Sequence, residues 1–220
     1  MTNRSVILYP MPKIAAKDRD AFVEARREEI LEAAVRLWGE RGFAGTSMAA
    51  VAREVGLTKG TLYLYFESKE ALLDEVLRRY SLRPDLEGLL AAVEARPLDE
   101  VVRLLVKATW HGLEARKDLV RLMLRELPGH LDEADHFLTQ AVLPVNRLLA
   151  RLLEARLPAE RLGKLDPLVA GRTLMTMTVS FWASQELLGA SRHTPVSMEV
   201  ATDTLAELFL HGVLGGAPAS

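Results

Sequence analysis

Apolar residues recur at three- and four-residue spacing along almost the whole chain, and nowhere do they alternate with period two for long. A sheet cannot bury that pattern on one face, whereas packed amphipathic helices can. Prolines and glycines fall mainly between the periodic stretches, where they end one helix before the next begins. The expected fold is therefore all-α. With 220 residues, 49% hydrophobic and 26% charged, the chain can build one large core or two modest ones and is too apolar for disorder.

Composition closes several functions. The absence of cysteine removes disulfide frameworks, thiolate metal sites and cysteine nucleophiles. The longest uncharged run, Thr173 to Gln185, has 13 residues, short of the about 20 that a helix needs to cross a bilayer. Val6-Ile7-Leu8-Tyr9 is too brief for the core of a secretion signal, so the cytoplasm is the expected location. A net charge of -2, with 13 basic against 12 acidic side chains up to Tyr80, gives no global basic excess. Any binding to DNA must rest on where the charges sit. No glycine-rich phosphate loop, nucleophile elbow or pair of zinc-binding histidines on one helix occurs, so neither an enzyme nor a cofactor is implied. His130, Asp132, Glu133, Asp135 and His136 lack regular zinc spacing and read as a polar helix start after Pro128-Gly129, so no metal is expected.

Four helices are expected up to Tyr80. The first carries the stripe Ile30, Ala33, Ala34, Leu37 and Trp38, with Gly42 as its stop and Phe43 packed beneath. Thr46 and Ser47 announce a second, with Met48, Val51, Ala52 and Val55 on one face and Gly56 at its end. Thr58 opens a third through Tyr65, and Ser68 caps a fourth whose stripe is Leu72, Leu73, Val76, Leu77 and Tyr80. Two short helices joined across Gly56-Leu57-Thr58 have the dimensions of a helix-turn-helix, whose second member is short and polar at its start so that it enters the major groove. Leu62 and Phe66 face the core at spacing i, i+4, leaving Lys59, Thr61, Tyr63 and Tyr65 for the remaining surface.

Thr46-Ser47-Met48 with Val51-Ala52 and Val55-Gly56, followed by the string from Thr58 to Leu72, resembles the signature of the Tet repressor family. The resemblance covers roughly Glu29 to Tyr80, about a quarter of the chain. It implies a three-helix DNA-binding unit, a fourth helix leading to an effector domain, and a dimer reading a palindromic operator. It also implies that Lys59, Gly60 and Thr61 approach base edges and that Tyr63, Tyr65 and Lys69 meet the phosphate backbone, with Thr46, Ser47 and Thr58 in the same DNA-facing set. The free amides beside Thr46 and Ser47 suit a further phosphate. The competing readings make Tyr63 a half-buried core residue and Lys69 a solvated charge.

Beyond Pro84 the helices lengthen, with breaks near Pro97 and Lys117. The stretch from Leu131 to Leu157 is periodic, but Pro144 should kink or split it. Asp166-Pro167 and Thr194-Pro195 read as capped starts of two more helices, with Gly189 and Gly212 at their ends. The first of these, to Leu188, is apolar nearly all round between Arg172 and Glu186, so a partner subunit is its simplest cover. With Ala201, Leu205, Leu208 and Phe209 of the second it would form a four-helix interface between subunits. The resemblance implies a ligand cavity among the middle helices. Trp110, His111, Met123, Met175, Met177, Phe181 and Trp182 are candidates to line it, and Arg121 and Arg125 share a helix face that suits a carboxylate or phosphate. Ordinary core packing and a solvated face are the alternatives.

The expected organisation is an N-terminal arm over residues 1–23 with Arg4, Lys13, Lys17 and Arg19, a helix-turn-helix unit over 24–80, and a helical effector-binding and dimerisation domain over 81–220. The expected function is a ligand-responsive repressor, a homodimer with double-stranded DNA and a small, largely apolar effector as its partners. An all-α enzyme that merely contains such a bend and an architectural DNA-binding protein without an effector are the rivals.

Overall fold

The computed structural model describes residues 16–126 and 131–215, and every regular element among them is helical. The reading unit comprises α1 (Ala16–Arg41), α2 (Met48–Glu54), α3 (Lys59–Tyr63) and α4 (Lys69–Arg79). The body follows as α5 (Arg83–Ala92), α6 (Leu98–Ala115), α7 (Lys117–Glu126), α8 (Leu131–Phe137), a π-helical turn (Leu138–Val142), α9 (Leu143–Arg156), α10 (Ala159–Leu162), α11 (Pro167–Glu186), a 3-10 turn (Ala190–Arg192) and α12 (Met198–Leu214). No helix among the described residues is long and apolar enough to cross a membrane.

Three departures from the sequence reading have physical causes. First, residues 16–23, expected as part of the arm, are the opening turns of α1. No glycine or proline follows Pro12 there, and alanines and long charged side chains favour the helix. Lys17 and Arg19 therefore lie on α1, while Arg4 and Lys13 lie outside the described residues. Second, of the kink or split expected at Pro144 the split does not occur: α8, the π turn and α9 run on without a gap. Pro144 occupies the first turn of α9, where its missing donor costs least, and the wide turn before it relieves the ring's clash with the preceding turn. Third, α12 is capped by Ser197, whose hydroxyl accepts from the Val200 amide at 3.3 Å, and not by Thr194, whose hydroxyl donates to the Ala190 carbonyl. Gly212 lies within α12, which ends at Gly215 in a left-handed conformation (φ 75°). Asp166 does cap α11, accepting from the Val169 amide at 3.0 Å ahead of Pro167.

The core of the reading unit is built from Ile30, Leu37 and Trp38 of α1 with Val51, Leu62, Leu72 and Val76 from the other three helices. Trp38 is fully buried and meets Phe43 edge-on at 5.2 Å. This core continues into the body, because Leu119, Leu122 and Met123 of α7 belong to the same cluster. A second core joins α6, α9, α11 and α12 through Val101, Leu105, Leu149, Leu174 and Phe209. Within it α11 lies close on α9: a Cβ added at Gly171 would stand 2.9 Å from that of Leu149, so a larger residue there would push the helices apart.

Candidate nucleic-acid interface and effector cavity

The turn between α2 and α3 is fixed by its own backbone. Gly56 takes a left-handed conformation (φ 67°), the Leu57 amide donates to the Ala52 carbonyl at 2.8 Å and the Gly56 amide to Arg53 at 3.2 Å. These are the paired bonds of a helix end that glycine permits. Thr58 then caps α3, accepting from the Thr61 amide at 3.1 Å, and the two threonine hydroxyls lie 2.8 Å apart on the exposed side. One hydroxyl proton serves that mutual bond, leaving one to donate outward. Leu62 and Phe66 are buried as the spacing required, and Arg27 locks the far end of the motif to α1 by donating to the Tyr65 carbonyl at 2.9 Å.

The outward side of α3 presents Lys59, Gly60 and Tyr63, with Thr61 half-buried beside them. Tyr63 is 42% exposed, so it is not the core residue that the competing reading made it. Gly60 has no role in packing: a Cβ there would meet only the Thr58 hydroxyl, at 3.9 Å, and the backbone is not left-handed. Glycine inside a helix costs roughly 1 kcal/mol relative to alanine, and nothing within the fold accounts for it. Leu64, 85% exposed at the end of the motif, was missed in the sequence; its only signal there is that it falls off the Leu62–Phe66 stripe.

Three of the DNA-facing candidates also have partners within the fold. Thr46 is buried, its hydroxyl donating to the Gly42 carbonyl at 2.9 Å and its amide to Phe43. Lys69 donates to the Phe43 carbonyl and lies 4.1 Å above the centre of the Phe43 ring, so its ammonium ties α4 to the turn after α1. Tyr65 is half-buried against the core of the unit. Ser47, by contrast, is exposed and caps α2 through the Ala50 amide at 3.2 Å.

A cavity of about 380 Å³ lies where the reading unit meets the body. Its wall is mainly apolar, from Leu113, Leu119, Val120, Met123, Phe137, Val145 and Val179. Leu77, Tyr80 and Ser81 contribute the end of α4 and the residues after it. Two arginines border it. Arg116 is committed to the Asp85 carboxylate at 2.7 Å and the Gly112 carbonyl at 3.0 Å, whereas Arg172 is exposed and pairs with nothing among the described residues. Asn146 lines the cavity while only 3% exposed, and no described residue hydrogen-bonds its amide. Burial, then the bond its hydroxyl donates to Glu28 at 2.8 Å, pushes the Tyr80 phenol well above the ordinary tyrosine range.

Of the effector candidates, Met123 and Met175 line this cavity, while Met177 and Phe181 pack against the second core. Trp110 and Trp182 form a separate buried cluster with Leu113 and Ala201, and the Trp182 indole donates to Glu114 at 3.1 Å, so both serve packing. His111 is exposed. Arg121 pairs with Asp118 at 2.8 Å on an open groove between α1 and α7, away from the cavity, and the Arg125 side chain lies outside the described residues. Of the acid-and-histidine cluster, His136 pairs with Asp74 of α4 at 2.6 Å, Asp135 is exposed, and His130 and the Asp132 and Glu133 side chains lie outside the described residues.

A helix-turn-helix that presents small and polar groups outward, backed by a helical body with an apolar cavity, defines a DNA-binding regulator. Residues 30–76 match the family model described as bacterial regulatory proteins, tetR family. The chain is 32% identical over 195 residues to the HTH-type transcriptional repressor KstR2 of Rhodococcus jostii, covering 87% of this chain and 90% of that protein. It is also 32% identical over 110 residues to the HTH-type regulator YerO of Bacillus subtilis, a match that spans 46% of this chain and 36% of YerO. Among solved structures it resembles Thermus thermophilus FadR, a TetR-family repressor in complex with lauroyl-CoA, with 27% identity, a TM-score of 0.58 and coverage of 88% and 98% of the two chains. The chain belongs to the tetR family and is a transcription regulator, not an enzyme.

Proposed function

We propose that this chain is a ligand-responsive repressor: a homodimer that occupies a palindromic operator and releases it when a largely apolar molecule fills the cavity. The observation that carries the reading is the cavity's shared wall. Leu77, Tyr80 and Ser81 belong to the end of the reading unit, so a ligand cannot fill the space without touching the element that aims α3. Lys59, Gly60 and Thr61 serve as the base-reading group, with Tyr63, Ser47 and Thr58 at the backbone, while Thr46, Lys69 and Tyr65 hold the unit's shape. Glycine at position 60 is then explained by close approach to DNA.

Leu168, Val169 and Leu188 of the α11 segment and Val200 and Leu208 of α12 are exposed apolar side chains that a second copy would cover. Two reading units of such a dimer must stand about 34 Å or a multiple apart, so a small pivot costs much affinity. The effector we favour is a fatty-acyl thioester. Its chain suits the apolar wall, its phosphates suit the unpaired Arg172, and FadR of Thermus thermophilus carries lauroyl-CoA. The regulator works in the cytoplasm, where its operator is.

Selection of bound sequences from random DNA yields the operator, and titration of that complex with lauroyl-CoA, free CoA and laurate tests the effector. Lauroyl-CoA should weaken operator binding more than about tenfold and free CoA should not. Equal binding with all three would refute the acyl effector and favour an architectural DNA-binding protein. A mass of 24.4 kDa by light scattering at low micromolar concentration would refute the dimer.

A further inference from the structure

Between the cavity and α1 stands one side chain that touches both. Glu24 and Glu28 lie four residues apart on one face of α1. Arg79 reaches each of them at 2.6 Å, and the next residue, Tyr80, donates its hydroxyl to Glu28 at 2.8 Å. The same Tyr80 lines the cavity and also borders the open groove between α1 and α7, so it partitions the two spaces. Among the described residues that line the cavity, it alone hydrogen-bonds to α1. Arg79, the other rung of this fastening, does not reach the cavity.

We infer that Tyr80 is the positioning residue through which the cavity controls the reading unit: a ligand against its ring turns the phenol away from Glu28 and frees α1 from the end of α4. The inference rests on the cavity being the effector site. It differs from a packing role in what it requires: the hydroxyl, not the ring, carries the message. In the empty protein the hydroxyl adds to the shared core and the Arg79 pairs a fastening between α1 and the end of α4, and filling the cavity and removing the hydroxyl are two routes to the same released state.

That equivalence is testable without knowing the effector. Operator affinity is measured by anisotropy for the full-length wild type, Tyr80→Phe, Ala141→Phe and the double variant. Ala141→Phe fills the cavity from its π-turn wall, and Val142→Phe replaces it if thermal melting shows that variant unfolded. Each single change should weaken operator binding about tenfold, and the double variant should lose no more than either, because coupled sites do not add. Wild-type affinity in Tyr80→Phe, or a double variant weakened by the product of the two losses, would overturn the inference. A merely structural tyrosine would give the product. Lauroyl-CoA without effect on any of the four would count against the acyl effector alone, since the comparison uses no ligand.

Discussion

The reading unit and the body begin their helices differently. In the reading unit Ser47, Thr58 and Ser68 each accept a hydrogen bond from the backbone amide three residues on. In the body, α5, α6, α9 and α10 start at Leu82, Pro97, Val142 and Pro158 with no side-chain cap, whereas α11 and α12 carry one. Helices of five, seven and 11 residues are too short to persist alone, so their ends must be fixed locally. The 18 and 14 residues of α6 and α9 are held instead by broad buried faces, which can leave a gap without losing the helix. A part that measures spacing on DNA is thus pinned at every turn, and the part that accommodates a ligand is not.

The largest test of this contrast is Trp38→Ala. Removing a fully buried indole should cost about 3–5 kcal/mol in urea unfolding and abolish operator binding, because the reading unit has no slack to absorb the void. Overfilling comes next. Ala34→Leu, at a position with no exposure, should cost about 1–3 kcal/mol. Ala183→Leu on the cavity wall should cost under about 1 kcal/mol while weakening lauroyl-CoA binding in calorimetry. Equal costs for the two substitutions would erase the distinction between a pinned and a slack region.

Ser68→Ala should lower stability by about 1 kcal/mol, the ordinary loss of an N-cap. Lys69 and Lys59 then separate fastening from reading. Lys59→Ala should weaken operator binding and relax its base preference without lowering the melting temperature. Lys69→Ala should lower the melting temperature and leave the base preference alone, because its ammonium is held by Phe43.

The smallest effect is at alkaline pH. The folded protein holds the Tyr80 proton more tightly than the unfolded chain does, so this stabilisation is intact below about pH 10 and is lost as the pH rises beyond it. Tyr80→Phe should flatten that decline in thermal midpoint, and an unchanged decline would place its cause elsewhere.

The same contrast governs what can be read from sequence. Capping serines and threonines, a left-handed glycine and the Leu62–Phe66 stripe act within a few residues, so the helix-turn-helix is legible. What Lys69 does is not, because its partner Phe43 lies 26 residues away and either role suits a lysine in the first turn of a helix equally well. The cavity is less legible still. It exists where helices fail to meet, and its wall takes residues such as Tyr80, Ser81 and Asn146 that look like ordinary members of their helices. Large aromatic residues suggest a pocket in sequence but fill space in the fold, as Trp110 and Trp182 do. Asn146, a lone amide among the apolar residues of α9, was a further signal beside the methionines Met123 and Met175.

The π turn at Leu138–Val142 contributes Ala141 and Val142 to the cavity. Such a turn holds one residue more than the regular turn it replaces. Losing one residue there restores regular helix without turning α8 against α9, because the wide turn has already absorbed the extra residue, and so it redraws only the stretch of wall that Ala141 and Val142 supply. A single in-frame codon deletion would thus reshape the ligand-facing surface locally while the caps, the turn and the reading face stay as they are. For a lineage of regulators, that is a route to new chemical signals in one mutational step, with the operator and its genes kept.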